Sequence, residues 1–374
     1  MSLLRRPHLW FFLAIAALAP SAQADSSADD GRYRAFDLAM ARDYLLPRYT
    51  TLLTATAIQE RTWTVFCQHP SAEGVSTLRW AFQTAMDAWI PLQHVHTGPA
   101  SLQSRIDRIY FWPERKNAVA RQVAALLQSG DTAALAPDRI AVASVAVQGF
   151  PALQLLLYGG DDPDQAFLSA DQTAVYRCAY GSAVAHNLTK IAGQLVAEWA
   201  VVIEMMARST EPGAKYGLPP SAKETAQQLF ADLLTLFQLV GDLKLALPLG
   251  QSLQDPKPKL AESWRSGRSL RNVGLNLASA QAMYGKDRSA GFRSLMPAGG
   301  DSDGLDEKII EAFVDAASSL SAVPMPLDAA VADSGGRPKV EALLTDIRHL
   351  RDLVGQQLPS AIGLTVGFNA LDGD

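Results

Sequence analysis

Three arginines, two serines and a tryptophan fall within the eight residues Trp264-Arg265-Ser266-Gly267-Arg268-Ser269-Leu270-Arg271. Guanidinium groups bind carboxylates and other oxyanions bidentately, and hydroxyls add donors, so Arg265, Arg268 and Arg271 are candidates for an anion pocket. The same run also fits a capped helix start whose arginines sit in surface ion pairs. A second irregularity is Gly149-Phe150-Pro151, which sets a flexible residue and a proline inside an otherwise helical pattern from Val142 to Tyr158. Pro151 has no N–H to offer the carbonyl of Val147, four residues earlier, so that acceptor needs another partner. Gly149 to Gln154 reads either as a structural kink or as part of a ligand cleft between helical units, with the three arginines as its expected visitors.

No His-Glu-x-x-His and no Gly-x-Ser-x-Gly occurs, so no catalytic residue is assigned. His94 and His96 flank Val95 and cannot share a helical face, and both read as surface residues. His349 and Asp352 have helical spacing for two metal ligands, but Asp346, Arg348 and Arg351 around them describe a solvated face. His186 lies on an apolar helix and reads as hydrogen-bonded and partly buried. None of these supplies a metal site.

Arg5 and Arg6, the apolar run Leu9 to Leu18 and Ala22-Gln23-Ala24 form a secretory leader over residues 1–24. No cysteine stands at the cleavage site, which excludes a lipoprotein anchor, and no later stretch is apolar for long enough to span a bilayer. An oxidising compartment makes a Cys67–Cys178 disulfide the expected state of the two cysteines. It would close a loop of roughly 110 residues, with a chain-entropy contribution of about 4–5 kcal/mol. The rival reading takes Cys67-Gln68-His69 as half of a metal site that lacks a second half. With 19% charged residues and a net charge of −5, the chain has no basic stripe for nucleic acid, and 48% apolar residues exclude a disordered chain.

Helical periodicity dominates, and alternating strand patterns are nearly absent. Apolar residues three and four apart, such as Leu78, Phe82, Ala85, Met86 and Trp89, or Ile191, Leu195, Val196, Trp199 and Val202, place helices near 33–66, 72–95, 113–129, 138–157, 170–208, 221–246, 262–284, 303–321 and 338–358. Ser221-Ala222-Lys223-Glu224 is a capping box, Pro113 and Pro338 suit first helical turns, and Gly285 suits a helix end. The polar stretch 209–220 reads as a linker between an N-terminal bundle at 25–208 and a C-terminal bundle at 221–374. The expected fold is all-α, with two packed antiparallel helical bundles.

The segment Val147-Gln148-Gly149-Phe150-Pro151-Ala152-Leu153-Gln154-Leu155-Leu156-Leu157-Tyr158-Gly159 resembles the hallmark of the imelysin family, bacterial envelope proteins linked to iron uptake and historically called metallopeptidases. Ala88-Trp89 through Gly98-Pro99, Phe111-Trp112-Pro113-Glu114-Arg115-Lys116-Asn117, Pro258-Lys259 through Trp264-Arg265-Ser266-Gly267, and Gly367-Phe368-Asn369-Ala370-Leu371-Asp372-Gly373-Asp374 are similar to the family pattern, in the same order. The resemblance spans essentially the whole mature chain. It implies a two-bundle helical fold, in agreement with the periodicity.

The chain departs from the family where the family's chemistry is concentrated. The motif is Gly-x-His-x-x-Glu, whose His and Glu project from one helix face as metal ligands, and here those positions are Pro151 and Gln154. Proline offers no lone pair, and a neutral amide is a poor substitute for a carboxylate. What the resemblance then implies is an exported, periplasmic, non-catalytic binding or accessory component of iron uptake. The alternative is an imelysin-type metallopeptidase with altered ligands. Iron or another divalent metal enters as cofactor through the resemblance alone. The implied partners are an envelope iron-acquisition component, a small ligand or an outer-membrane receptor.

Overall fold

The structure, a computed structural model, describes residues 22–365 apart from 115, 170 and 298–303, with side chains from residue 30 onward. The expected leader lies outside the described residues up to position 21, as do Arg115 and the terminal segment Gly367 to Asp374. Among the described residues there is no strand. The longer helices are α1 (Ala22–Ala39), α2 (Leu46–Gln68), α3 (Ala72–Trp89), α4 (Ala118–Ser129), α5 (Gly149–Tyr158), α6 (Gln172–Ala207), α7 (Ala222–Gln238), α8 (Ser269–Tyr284), α9 (Leu305–Ala322) and α10 (Arg337–Asp352). The all-α expectation is met.

Apolar periodicity decides which faces are covered. Leu78, Phe82, Ala85, Met86 and Trp89 are fully buried on α3, and Ile191, Leu195, Trp199 and Val202 on α6, while Val196 is only partly covered. Each large side chain so removed from water contributes about 1.5–3 kcal/mol. Helix α6 runs beside α2, α2 packs on α3, and α5 rests against α3 and α6. In the C-terminal half α9 and α10 pack together, and α1 returns from the N-terminus to lie on α7. The segment 209–220 is irregular apart from a turn at Ala214–Tyr216 and is held against the loop before residue 99, where Gly98 N–H donates to Gly217 O at 2.9 Å. A division into two bundles at this segment is our proposal for the domain organisation.

Several local expectations are met and others need correction. Ser221 Oγ accepts from Glu224 N–H and Glu224 Oε2 from Ser221 N–H, completing the capping box of α7. Pro338 lies in the first turn of α10. Gly285 ends α8 with φ +117°, positive but outside the left-handed helical region. Pro113 starts no helix: left-handed Lys116 and Asn117 intervene, and α4 begins at Ala118. The run 138–157 is not one kinked helix. It breaks into Pro137–Ile140, a turn at Val145–Val147, and α5. Three helices also widen into π segments, at Met40–Leu45, Leu239–Ala246 and Leu353–Gln357, which periodicity near 3.6 does not register.

The histidine readings divide. His349 is exposed, as expected, and His186 Nδ1 donates to Glu60 Oε1 at 2.7 Å but is exposed rather than partly buried. His94 is fully buried, not a surface residue, because the loop it sits on is roofed by α8: its Nε2 lies 3.1 Å from Met283 Sδ, and its Nδ1 is without a partner. Burial pulls its pKa from 6.5 to about 3, with His96, Lys244 and Arg48 adding to the effect.

Cys67, near the end of α2, and Cys178, in the second turn of α6, are bonded, with α-carbons 5.7 Å apart and a sequence separation of 111. Replacing both with alanine should lower unfolding free energy by about 2–4 kcal/mol in urea denaturation. An unchanged midpoint would show that the cross-link adds nothing.

His94 generates a pH prediction. The unfolded chain takes up its proton near pH 6.5 and the folded chain only near 3, so the neutral ring's stability is present above 6.5 and lost as pH falls. Asp232, pushed up to about 7 by burial, acts in the opposite sense, so the measurement must be differential. Relative to His94→Leu, the wild type should lose about 3 kcal/mol between pH 6.5 and 4. A constant difference in denaturation curves would refute the assignment.

Candidate functional site

Helix α5 opens on a constrained turn. Gly149 has φ +68°, and a Cβ there would lie 2.3 Å from the carbonyl oxygen of Ile109, so only glycine fits. Gln148 anchors the approach, its Nε2 donating to Ala143 O at 2.6 Å and its Oε1 accepting from Asn187 at 2.8 Å. The residues expected to kink a helix therefore begin one, with Pro151 in the first turn, where a missing N–H is tolerated. The carbonyl of Val147 accepts from the hydroxyl of Tyr180 at 2.8 Å. No arginine is needed there.

Pro151 and Gln154 project from this turn into a cleft of about 490 Å³, facing Trp264, Arg265 and the strip Tyr110–Glu114. Gln154 Oε1 accepts from Ser266 Oγ at 3.4 Å. Arg265 is the arginine that reaches the cleft, with its guanidinium 4.5 Å from the centroid of the Trp264 ring and Lys259 Nζ 5.9 Å from it. Partial burial pulls the Arg265 pKa down, and Glu114 opposes that shift. Lys116 and Lys259 also line the cleft, against Glu114 as the one acidic lining residue among the described residues, whose Oε2 accepts from Val119 N–H at 2.9 Å. Lys116, Asn117 and Ser263, all lining it, have positive φ without being glycine. Such backbone strain gathers where surrounding structure holds a binding surface in place.

Arg268 and Arg271 do not enter this cleft. Both turn to Asp87 on α3: Arg268 Nη2 lies 2.6 Å and Arg271 Nε 2.7 Å from Asp87 Oδ1. Arg268, 1% exposed, also donates to the Gln83 carbonyl and side chain, and Gln83 Nε2 donates to Ser266 O at 3.2 Å. Its link to Gln154 thus passes through Gln83 and Ser266. The three arginines expected together are divided, Arg265 in the cleft, Arg268 in the core and Arg271 exposed over Asp87, because the left-handed Gly267 separates Arg265 from the start of α8.

Behind the cleft lies a buried charge network that sequence reading missed. Lys244 Nζ sits 2.7 Å from Glu262 Oε2 and donates to Asn276 Oδ1 at 2.6 Å. Asn272 Nδ2 donates to Glu262 Oε2 at 2.6 Å and accepts at Oδ1 from Arg268 Nε at 3.2 Å. All five residues are at most 1% exposed. Burial lowers the Lys244 pKa, while Glu262 holds its proton on. The one sequence signal was the spacing of Arg268, Asn272 and Asn276, four apart, which aligns three polar residues along α8 beside apolar Val273, Leu277 and Ala280.

At the positions of the family's His and Glu, Pro151 and Gln154 do not fit a divalent cation. No three His, Cys, Asp or Glu side chains come together among the described residues. The Imelysin family model matches residues 45–354. The chain belongs to the imelysin family. A curated relative, iron-regulated protein A of Synechococcus elongatus, is 23% identical over 324 residues, covering 84% of this chain and 82% of that protein. The crystal structure of an imelysin-like protein from Psychrobacter arcticum 273-4 matches with TM-score 0.70 at 20% identity, over 95% of this chain and 100% of that one. An iron-regulated protein A precursor from Parabacteroides distasonis matches with TM-score 0.67 at 16% identity, over 89% and 95%. These likenesses establish the imelysin fold.

Removing one partner of the Lys244–Glu262 pair leaves a buried charge without compensation. Lys244→Met should therefore destabilise this imelysin by about 3–5 kcal/mol, and adding Glu262→Gln should recover a large part of the loss. Additive losses in a double-mutant cycle would show that the two residues act independently.

Proposed function

We propose that this imelysin is an exported, non-catalytic binding component associated with iron uptake, and that it holds an oxyanion-bearing small ligand in the cleft beside Gln154. The observation that carries the reading is the exchange of chemistry at the family motif. Pro151 and Gln154 replace a ligating pair, while Arg265, Lys259 and Lys116 make the same cleft basic. A guanidinium stacked on Trp264 and partly withdrawn from water suits a carboxylate. The disulfide supports export, and the names of the relatives support the link to iron. A carboxylate-chelated ferric ion combines the two as the cargo class to test. Periplasmic residence follows from the leader expected at residues 1–24.

Calorimetric titration of the mature protein with citrate and with ferric citrate should show binding that Arg265→Ala weakens about tenfold or more. Gln154→Glu, which places a like charge beside the anion, should weaken it as well. Two outcomes overturn the proposal. One is tight divalent-metal binding by chelator-stripped protein without any anion. The other is proteolysis abolished by chelator, restored by zinc and lost on alteration of Gln154.

A further inference from the structure

Across the strip Tyr110–Glu114 from the basic cleft lies a second cleft, of about 870 Å³, with the opposite chemistry. It opens between the end of α3, the short helix Arg105–Ile109 and the π segment after α7. Among the described residues neither lysine nor arginine lines it, whereas Asp107, Glu114 and Asp242 do. Aromatic faces come from Tyr110, Phe111 and Trp112, which flank the acidic groups.

Polar atoms without partners point to a ligand. Gln93 is 6% exposed and lines the cleft; its Nε2 donates to Asn276 at 3.5 Å, but its Oε1 is buried with no partner. Gln238 Oε1 is buried and unpartnered too, and Trp89, fully buried, has an unpartnered Nε1. Buried acceptors left unmade are unfavourable, so two unpartnered amide oxygens on cleft-lining side chains favour an occupant that carries N–H groups.

The charges discriminate further. Asp242 is answered by Arg351 at 3.2 Å and Arg348 at 3.8 Å, and Glu114 by the N–H of Val119. Asp107 has no lysine or arginine within 4.0 Å among the described residues. Its electrostatic neighbour is His96, which burial keeps neutral at pH 7. One uncompensated carboxylate beside aromatic faces attracts a cation.

We propose that this cleft binds an organic ammonium ion with an aromatic or apolar body, its N–H groups meeting the oxygens of Gln93 and Gln238 and its charge facing Asp107. The site is separate from the basic cleft and does not depend on the reading given for it.

Titration calorimetry of the mature protein at pH 7 with phenethylammonium, phenethyl alcohol and phenylacetate tests charge selection at constant shape. The ammonium should bind about tenfold or more tightly than the alcohol, and Asp107→Asn should bring the two within about twofold. Leu243→Trp, which fills the cleft from the π segment, should abolish binding of the ammonium while the circular-dichroism melt is retained, and it serves as the second test should Asp107→Asn misfold. The proposal is overturned by equal affinity for ammonium and alcohol, by no ammonium binding at millimolar concentration, or by unchanged affinity in the folded variants.

Discussion

A buried ion pair and a half-buried one, placed end to end, hold α3, α8 and the π segment after α7 in register. Lys244 and Glu262 are out of water, and so is Arg268, which reaches Asp87 on α3. Charges of this kind tolerate little displacement, because desolvation is offset only when every partner stays within hydrogen-bonding distance. Asn272 and Asn276 complete the coordination from successive turns of α8, and Asn276 Nδ2 donates to Ile90 O at 3.1 Å, where α3 ends. The π segment Leu239–Ala246 is what turns Lys244 inward: an extra residue in the helix re-aims the side chain that follows. Both clefts are built on the loops that this network pins.

The wall of the basic cleft is consequently loop-built but fixed. Ser263 takes a left-handed backbone and its Oγ lies 3.1 Å from the Tyr110 hydroxyl, while the neighbouring Glu262 is locked in the core. Gly149 lets the first turn of α5 approach the carbonyl of Ile109, next to that tyrosine. Loss of the family's ligating pair at Pro151 and Gln154 therefore leaves the surrounding scaffold in place. Backbone geometry and the polar groups of the cleft are specified by different residues, so one cleft shape is compatible with more than one ligand chemistry.

Much of the fold was legible, because apolar spacing along α3 and α6 reports directly on burial and because Ser221 and Glu224 form a local signal. The Cys67–Cys178 bond followed from a count of two and an expected compartment. Features set by distant partners were not legible. Pro113 resembled a helix start, yet the left-handed Lys116 and Asn117 behind it delay α4. Gly149 resembled a kink because its constraint comes from Ile109, forty residues earlier. Of the arginines expected in one pocket, Arg265 alone reaches it, since the acid that claims Arg268 and Arg271 lies on α3 and no short-range pattern names it.

The strip from Tyr110 to Glu114 is one residue layer thick, with a basic hollow on one side and an acidic one on the other. A partition shared by two chambers cannot move for one alone. An occupant that favours one position of these rings over another would alter the free energy of filling the opposite side, and thermodynamic reciprocity would make the factor the same in both directions. Heterotropic communication in such a chain requires no rotation of bundles and no hinge. It requires only that a single aromatic wall have two faces.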